Sequence, residues 1–174
     1  VWHIVDCMGV CMTLLEGENA AMLVDTGYGI EDVADFMRHM TDLPLTVFLT
    51  HNHHDHAMGA RCFPETYMLE ADMADWRMFT NDEIRRVTEK NLPVDEKTFL
   101  AGEIPLPKVM KPGVIDLGGL TAEIIEAPGH TPGSAVVYVP ERKLLLSGDD
   151  WNPCTWLFFP QALGLREYRS NMRG

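Results

Sequence analysis

The sequence predicts an α+β fold, arranged as a single domain over residues 1–174. Three observations support this fold class. Short segments rich in apolar and β-branched residues, separated by Gly, Asp and Asn, open the chain. Apolar residues at helical spacing follow over about residues 30–41. From Pro105 onward the segments are again short and β-like.

The N-terminal strands are predicted at Trp2–Val5, Cys11–Leu15 and Ala20–Val24, joined as an antiparallel meander. A glycine-containing turn, Leu23–Gly27, closes this meander. The helix predicted next would lie on a sheet through an apolar stripe made of Ile30, Val33, Phe36, Met37 and Met40.

A strand at Leu45–Leu49 leads directly into Thr50–His56, which offers four metal-ligand side chains within six positions: His51, His53, Asp55 and His56. Residues two apart on an extended chain point to the same side, so His51 and His53 are expected to face one site. The following turn then presents Asp55 and His56. The alternative is an ordinary polar surface loop or an adventitious His-rich tract.

The middle of the chain has helical patterns. Ala57–Ala60 can begin a short helix beside the ligand loop, and residues 71–79 place Met73, Trp76 and Phe79 at helical spacing. Thr80–Glu83 has the form of a capping box that opens a further helix containing Ile84 and Val87. The Met and Trp residues of this middle region indicate either core packing under a lid or substrate contact.

A hairpin is predicted in the C-terminal half, with strands at Val114–Leu117 and Leu120–Glu126 joined by Gly118-Gly119. Two more strands are predicted at Ala135–Val139 and Leu144–Ser147. His130 and Asp149 therefore fall in loops that follow strands, where a rigid scaffold presents functional groups.

Three motifs resemble the metallo-β-lactamase fold superfamily of metallohydrolases: His51-x-His53-x-Asp55-His56, the run Ala127–Ser134 that contains His130, and Leu146-Ser147-Gly148-Asp149. Leu23–Gly27 also resembles the strand-turn element beneath the family's site. The resemblance implies a four-layer αβ/βα sandwich. It also implies a variable insertion at about residues 62–106 that covers the mouth of the site.

The resemblance implies two metal ions. His51, His53 and His130 would hold the first, leaving a fourth position for water, as zinc sites do. Asp55, His56 and Asp149 would hold the second, with Asp149 bridging the ions and Asp55 also acting in catalysis. Zinc is the expected metal, with iron or manganese as alternatives. Asp25 would either hold a ligand imidazole in one tautomer or cap the turn or the next helix.

Relatives supply one more His from a strand well beyond the bridging Asp, whereas no His follows His130 here. The expectation is that the final strand-helix unit is missing and the second site is weakened. Uncovered sheet surface would then promote association, so this form is expected to pair as a homodimer or to be partly disordered near residues 150–174.

The expected activity is hydrolysis of a small ester-like substrate, such as a thioester or lactone. True β-lactamases of the family usually carry Cys or Ser where Asp149 stands. The alternatives are a catalytically impaired or mono-metal domain that binds a small molecule or a protein, and a mono-iron sulfur oxygenase of the same fold. Trp151 and Trp156, in an aromatic stretch after Asp149, would wall the substrate pocket. Alternatively, the stretch would pack as an ordinary hydrophobic loop, or be left exposed by what is missing downstream.

Composition restricts the partners. Lys and Arg number 14 and Asp and Glu 26, which gives a net charge of −12 and argues against nucleic acid binding. No apolar run approaches the ~18–20 residues of a membrane span. The four cysteines, in a chain without a leader-like start, are typical of reduced thiols in the cytoplasm. Because the first residue is Val1, removal of a leader remains an alternative.

Overall fold

The computed structural model describes residues 1–91, 96–100, 102–151 and 153–173. Within these ranges the strands are β1 Trp2–Val5, β2 Cys11–Glu16, β3 Ala21–Val24, β4 Leu45–Phe48, β5 Tyr67–Met68, β6 Lys108–Val109, β7 Gly113–Asp116, β8 Thr121–Glu126, β9 Ala135–Val139 and β10 Leu144–Leu146. The α-helices are α1 Val33–Met40, α2 His54–Ala57, α3 Trp76–Thr80, α4 Asp82–Glu89, α5 Glu96–Phe99 and α6 Leu165–Asn171.

The first sheet has the strand order β1-β2-β3-β4-β5-β6. Strands β1, β2 and β3 form the predicted antiparallel meander. Strand β4 then pairs in parallel with β3, so that Val24 lies beside Phe48. This register places the C-terminal ends of β3 and β4 at the same edge of the sheet, where the ligand loop begins.

Helix α1 packs on this sheet by burying Val33, Ala34 and Met37. It begins later than the predicted residue 30, because the Asp32 side chain accepts the Asp35 N–H (3.0 Å) and so caps the helix. Phe36, which was predicted to lie on the apolar stripe, is exposed.

The region from 57 to 106 is more divided than predicted. Helix α2 begins at His54, a 3₁₀ helix covers Met58–Cys62, and α3 begins only at Trp76. The predicted capping box at Thr80 is wrong: the Asn81 side chain caps α4 by accepting the Ile84 N–H (3.0 Å), whereas the Thr80 hydroxyl donates to the Trp76 carbonyl.

The predicted insertion at about 62–106 includes β5, which belongs to the first sheet, and β6 of the same sheet follows directly after it. Its residues 92–95 and 101 lie outside the described ranges. Trp76 is fully buried with Phe99 and Ile104, which is core packing rather than substrate contact. Val87, predicted to be inside, is exposed, and the buried residue of α4 is Arg85.

The second sheet has the order β10-β9-β8-β7, all antiparallel. The predicted hairpin joins β7 to β8, and both Gly118 and Gly119 have positive φ (84° and 68°), a conformation that favours glycine. The inner face of this sheet, including Ala122, Ile124 and Val137, packs against the first sheet through Met22 and Phe48.

The predicted α+β sandwich is therefore confirmed, with α1, the first sheet and the second sheet stacked in that order. On the outer face of the second sheet Val114 and Ile125 are exposed. The segment after Asp149 was expected to pair with a second chain or to be partly disordered. In the structure, its residues 153–173 lie against the His130 loop, where the Leu163 N–H donates to the Gly129 carbonyl (2.8 Å). Pairing with a second chain stays a prediction.

None of the helices in the described part of the chain has the length and apolar character needed to cross a bilayer.

Candidate metal centre

Four loops that follow strands meet at one edge of the sandwich. Asp25 follows β3, His51 and His53 follow β4, His130 follows β8, and Asp149 follows β10. The local sequence explains why each loop leaves the sheet there: apolar, β-branched strands end where polar and glycine residues begin. Functional groups that are distant in sequence therefore come together on a rigid support.

The first cluster consists of His51, His53 and His130, all buried, whose candidate ligand atoms lie within 4.8 Å of one another. Their ring centroids are 4.5–4.9 Å apart. His53 Nδ1 lies 2.8 Å from His130 Nε2. His51 Nε2 is buried and makes no hydrogen bond within the described residues. A buried, unpartnered imidazole nitrogen costs stability unless it has a ligand.

The second cluster consists of His51, His56 and Asp149, so His51 belongs to both clusters. The two oxygens of Asp149 face different imidazoles: Oδ1 lies 3.4 Å from His56 Nε2, and Oδ2 lies 3.4 Å from His130 Nε2. This is the arrangement expected of a bridging carboxylate. Asp55, predicted as a ligand of the second ion, lies at the edge of this cluster with Oδ2 3.7 Å from His56 Nε2.

Asp25 holds two of the imidazoles from outside. Its φ is 63°, and its carboxylate accepts the Thr50 N–H (2.7 Å) and the Thr50 hydroxyl (2.9 Å). Asp25 Oδ2 also lies 2.8 Å from His56 Nδ1. Because the Thr50 hydroxyl donates to Asp25, the Thr50 oxygen can accept a hydrogen bond from His51 Nδ1–H at 3.1 Å. Of the two alternatives for Asp25, the structure shows the contact with an imidazole, since α1 is capped by Asp32.

The segment after Asp149 holds the other two imidazoles. His130 Nδ1 donates to the Trp156 carbonyl (2.6 Å), and the Gln161 side-chain amide lies 3.3 Å from His53 Nε2. The Phe159 ring stacks at 4.7 Å from the His53 ring. We call this segment, residues 156–161, the aromatic strap. It contacts His53 and His130 of the first cluster.

Burial controls the protonation of these groups. It lowers the pKa of His51 well below its ordinary value, helped by the neighbouring imidazoles, and it lowers the pKa of His53 to about 3. Both rings are therefore neutral near pH 7 and keep a lone pair for a metal. Although burial opposes it, Asp25 and then Asp149 raise the pKa of His56 well above the usual range.

Burial also acts on the carboxyls. It would raise the pKa of Asp149, but the hydrogen bond from His56 and the charge of His56 lower that pKa overall. The pKa of the neighbouring Asp150 is raised to about 6, mainly by burial, although its side chain accepts the His130 N–H (2.9 Å).

A cavity of about 550 Å³ opens onto the second cluster. Its lining includes the polar residues Asp55, His56 and Asp149 and the apolar residues Val10, Val24, Leu145, Leu146 and Trp156. Of the two tryptophans predicted to wall the pocket, Trp156 lines this cavity. Trp151 is 60% exposed and lies outside its lining.

Sequence inspection did not identify the contacts of Thr50, Gln161, Phe79 and Phe159. Thr50 directly precedes His51, so its side chain was the easiest to suspect. The rings of Phe79 and Phe159 lie against His53 at 4.3 and 4.7 Å, although helical spacing and local apolar content indicated only packing. His54, which has no place in the motif, is half-buried and lies edge-on to Tyr28.

Comparison with known proteins identifies relatives of this chain. A chicken (Gallus gallus) protein named acyl-coenzyme A thioesterase MBLAC2 is 28% identical over 164 residues, which cover 83% of this chain and 59% of the relative. A hydroxyacylglutathione hydrolase of Glaesserella parasuis is 26% identical over 136 residues, covering 78% of this chain and 47% of the relative. The chain thus spans roughly half to three-fifths of the length of these curated relatives.

Solved structures share the fold. The crystal structure of TTHA1623 in a di-iron-bound form has a TM-score of 0.70 and 21% identity, covering 99% of this chain and 84% of that one. The BLEG-1 B3 metallo-beta-lactamase has a TM-score of 0.65 and 18% identity, covering 92% and 78%. Residues 5–149 match the sequence profile of the Metallo-beta-lactamase superfamily, and this match extends over most of the chain. The chain belongs to the metallo-beta-lactamase superfamily.

Proposed function

We propose that this chain binds two metal ions at the two clusters, and that the protein is a metal-dependent hydrolase of a small ester-like substrate. The observation that carries the proposal is the orientation of the imidazoles. His51, His56 and His130 each have Nδ1 held from outside, which turns Nε2 toward the clusters. Outer partners of this kind fix the ring that faces a metal.

The donor set fits the metal ions. Three buried imidazoles suit zinc, and an all-histidine first site leaves a fourth position open. The orphaned His51 Nε2 lies in both clusters, where a ligand would satisfy it. The second cluster adds a harder carboxylate oxygen from Asp149. Zinc is the metal we propose, and iron is the alternative that elemental analysis would detect.

Bound metal supplies Lewis acidity and lowers the pKa of water from 15.7 toward about 7. The side chains do the remaining work. Asp55 lines the cavity beside His56 and is placed to orient an attacking water and to accept its proton. The aromatic strap excludes bulk water from the first cluster, which strengthens electrostatic interactions there.

The cavity supports an ester or thioester with an apolar acyl group. Its volume falls in the range of about 300–1,000 Å³ found for small-molecule sites. Leu145, Leu146 and Trp156 line the same cavity as the acidic groups of the second cluster, so that cavity offers both apolar surface for an acyl chain and polar groups for its carbonyl. A thioester is our first choice, because a curated relative is named a thioesterase.

We also propose a reducing compartment, the cytoplasm, and a small-molecule rather than a nucleic acid partner. Cys7, Cys11 and Cys62 form no disulfide in the described part of the chain. The net charge of −12 would repel a phosphate backbone.

Elemental analysis of the purified protein, combined with a panel of thioesters, lactones, phosphodiesters and β-lactams, tests the proposal. We expect two metal ions per chain and the fastest turnover on a thioester or lactone. Asp55→Asn should lower kcat strongly, whereas Asp35→Asn, which changes an exposed acid on α1, should not. Two bound metals with no hydrolysis of any substrate would indicate a binding domain, and preferential hydrolysis of a β-lactam would refute the substrate class.

A further inference from the structure

Asp72 is a buried carboxylate outside the two clusters. It ends the 3₁₀ helix Glu70–Asp72, and its exposed fraction is 1%. Burial raises the pKa of this carboxyl, whereas hydrogen bonds from Thr131, Gly133 and Asn52 oppose that rise. A buried carboxylate is costly unless several donors satisfy it. The donors that satisfy it therefore show which parts of the site it joins.

The donors come from both loops of the first cluster. Asp72 Oδ2 accepts the Asn52 N–H (3.1 Å) and the Thr131 hydroxyl (2.8 Å), and Oδ1 accepts the Gly133 N–H (2.6 Å). Asn52 lies between His51 and His53. The Asn52 amide also donates to the Asp72 carbonyl (3.1 Å). One side chain thus ties the His51–His53 loop to the His130 loop.

The contact with Gly133 is close. A Cβ atom at Gly133 would lie 2.5 Å from Asp72 N and 2.7 Å from Asp72 Cγ. Gly133 has no positive φ, so alanine there would disturb Asp72 by steric overlap rather than by backbone strain. Gly133, three positions after His130, therefore leaves the space that Asp72 needs next to the His130 loop.

We propose that Asp72 is a positioning residue that holds His53 and His130 at the separation needed to bind one metal ion. This proposal rests on the proposed metal-binding function of the first cluster. Tetrahedral zinc with bonds of about 2.0–2.1 Å separates two ligand nitrogens by roughly 3.4 Å. His53 Nδ1 and His130 Nε2 are already 2.8 Å apart, so a movement of roughly half an ångström suffices. Without the clamp, the two loops must be ordered when metal binds.

The test is cobalt(II) titration followed by the visible absorption of the bound ion, with zinc affinity measured by competition with a chelator. An Asp149→Ala background isolates the all-histidine cluster. We expect Asp72→Asn to weaken metal binding there by about 10–100-fold, the usual range for outer partners of ligands. Thr131→Val, which removes one donor of the clamp, should weaken binding less, and Gly133→Ala should resemble Asp72→Asn. The absorption spectrum at saturation should also change.

Asp32→Asn is the matched control, because Asp32 accepts a backbone N–H in an exposed helix cap far from the site. It should change neither the cobalt affinity nor the spectrum, and should change Tm little, because Asn caps a helix about as well as Asp. If both Asp72→Asn and Thr131→Val bound cobalt with wild-type affinity and spectrum, the positioning role of Asp72 would be refuted, whereas the proposed metal binding would stand. If Asp72→Asn fails to fold, Thr131→Val and Gly133→Ala decide the matter by the same measurements. A wild-type protein that binds no cobalt would overturn the proposed function as well as the clamp.

Discussion

Asp25→Asn should selectively impair the second metal site. Asparagine tolerates the left-handed conformation that Asp25 adopts at φ 63°, so the backbone should not change. In the wild-type protein the carboxylate accepts a hydrogen bond from His56 Nδ1–H, and Nε2 of the same ring faces Asp149 and the cluster. In the variant, Oδ1 can still accept the Thr50 N–H, but the amide NH₂ then faces His56 Nδ1.

The expected cost follows from this reversal. The imidazole must either carry its proton on Nε2, which then points at the metal position, or leave a buried donor unsatisfied at a cost of about 1–3 kcal/mol. Loss of such outer partners typically lowers metal affinity 10–100-fold. At about 1.4 kcal/mol for each tenfold change, this corresponds to roughly 1.4–2.8 kcal/mol of metal binding free energy. The second site should lose more than the first, because His56 belongs only to the second cluster.

Zinc competition against a chromophoric chelator would measure both affinities, with elemental analysis as the check on stoichiometry. Asp116→Asn is a suitable control, because Asp116 accepts the Gly118 N–H (2.8 Å) in the β7–β8 hairpin, away from the clusters. Two equivalents bound with wild-type affinity by Asp25→Asn would refute the argument that Asp25 sets the orientation of His56.

Three further outcomes are expected. His51→Ala should reduce the bound metal at both sites, because His51 belongs to both clusters. Asp149→Ala should empty mainly the second site. The metal content per chain distinguishes these two variants. In the metal-free protein, Asp150→Asn should raise Tm at pH 7 but hardly at pH 4. The pKa of Asp150 is about 6 in the folded protein and near 3.8 in the unfolded chain, so ionisation of this carboxyl destabilises the fold increasingly as pH rises from about 4 to above 6. The cost is roughly 3 kcal/mol at most. Thermal unfolding measured over this pH range would contradict the prediction if the effect of Asp150→Asn were absent or reversed. Trp156→Ala should raise KM for a substrate with an apolar acyl group, whereas Trp151→Ala should leave KM unchanged, and steady-state kinetics would show if the two behave alike.

Local patterns predicted the hairpin and the strands other than the two-residue strands β5 and β6. Alternation of apolar and polar residues and the Gly118-Gly119 turn depend on interactions within a few residues, so they can be seen in a single sequence. The placement of His130 and Asp149 in loops after strands follows from the same patterns. Local patterns failed where neighbouring residues competed for one role: Asn81 rather than Thr80 caps α4, and Asp32 delays the start of α1.

The metal-ligand residue types at Thr50–His56, His130 and Asp149 are likewise visible without coordinates, because imidazoles and carboxylates at this spacing have few other uses. Sequence alone could not show that His51 belongs to both clusters or that Asp55 lies at the edge of the second. Those distances depend on how far each loop extends beyond the sheet edge.

Apart from Asp25, for which a ligand imidazole was already one of the expected partners, the outer contacts depended on tertiary structure. Asp25 reaches His56, Gln161 reaches His53, and Asp72 joins two loops that lie far apart in sequence. None of these residues has a spacing that marks its partner. Sequence periodicity encodes which face of a strand or helix is buried, whereas these pairs form only after two sheets have packed and brought the ends of their strands to one edge.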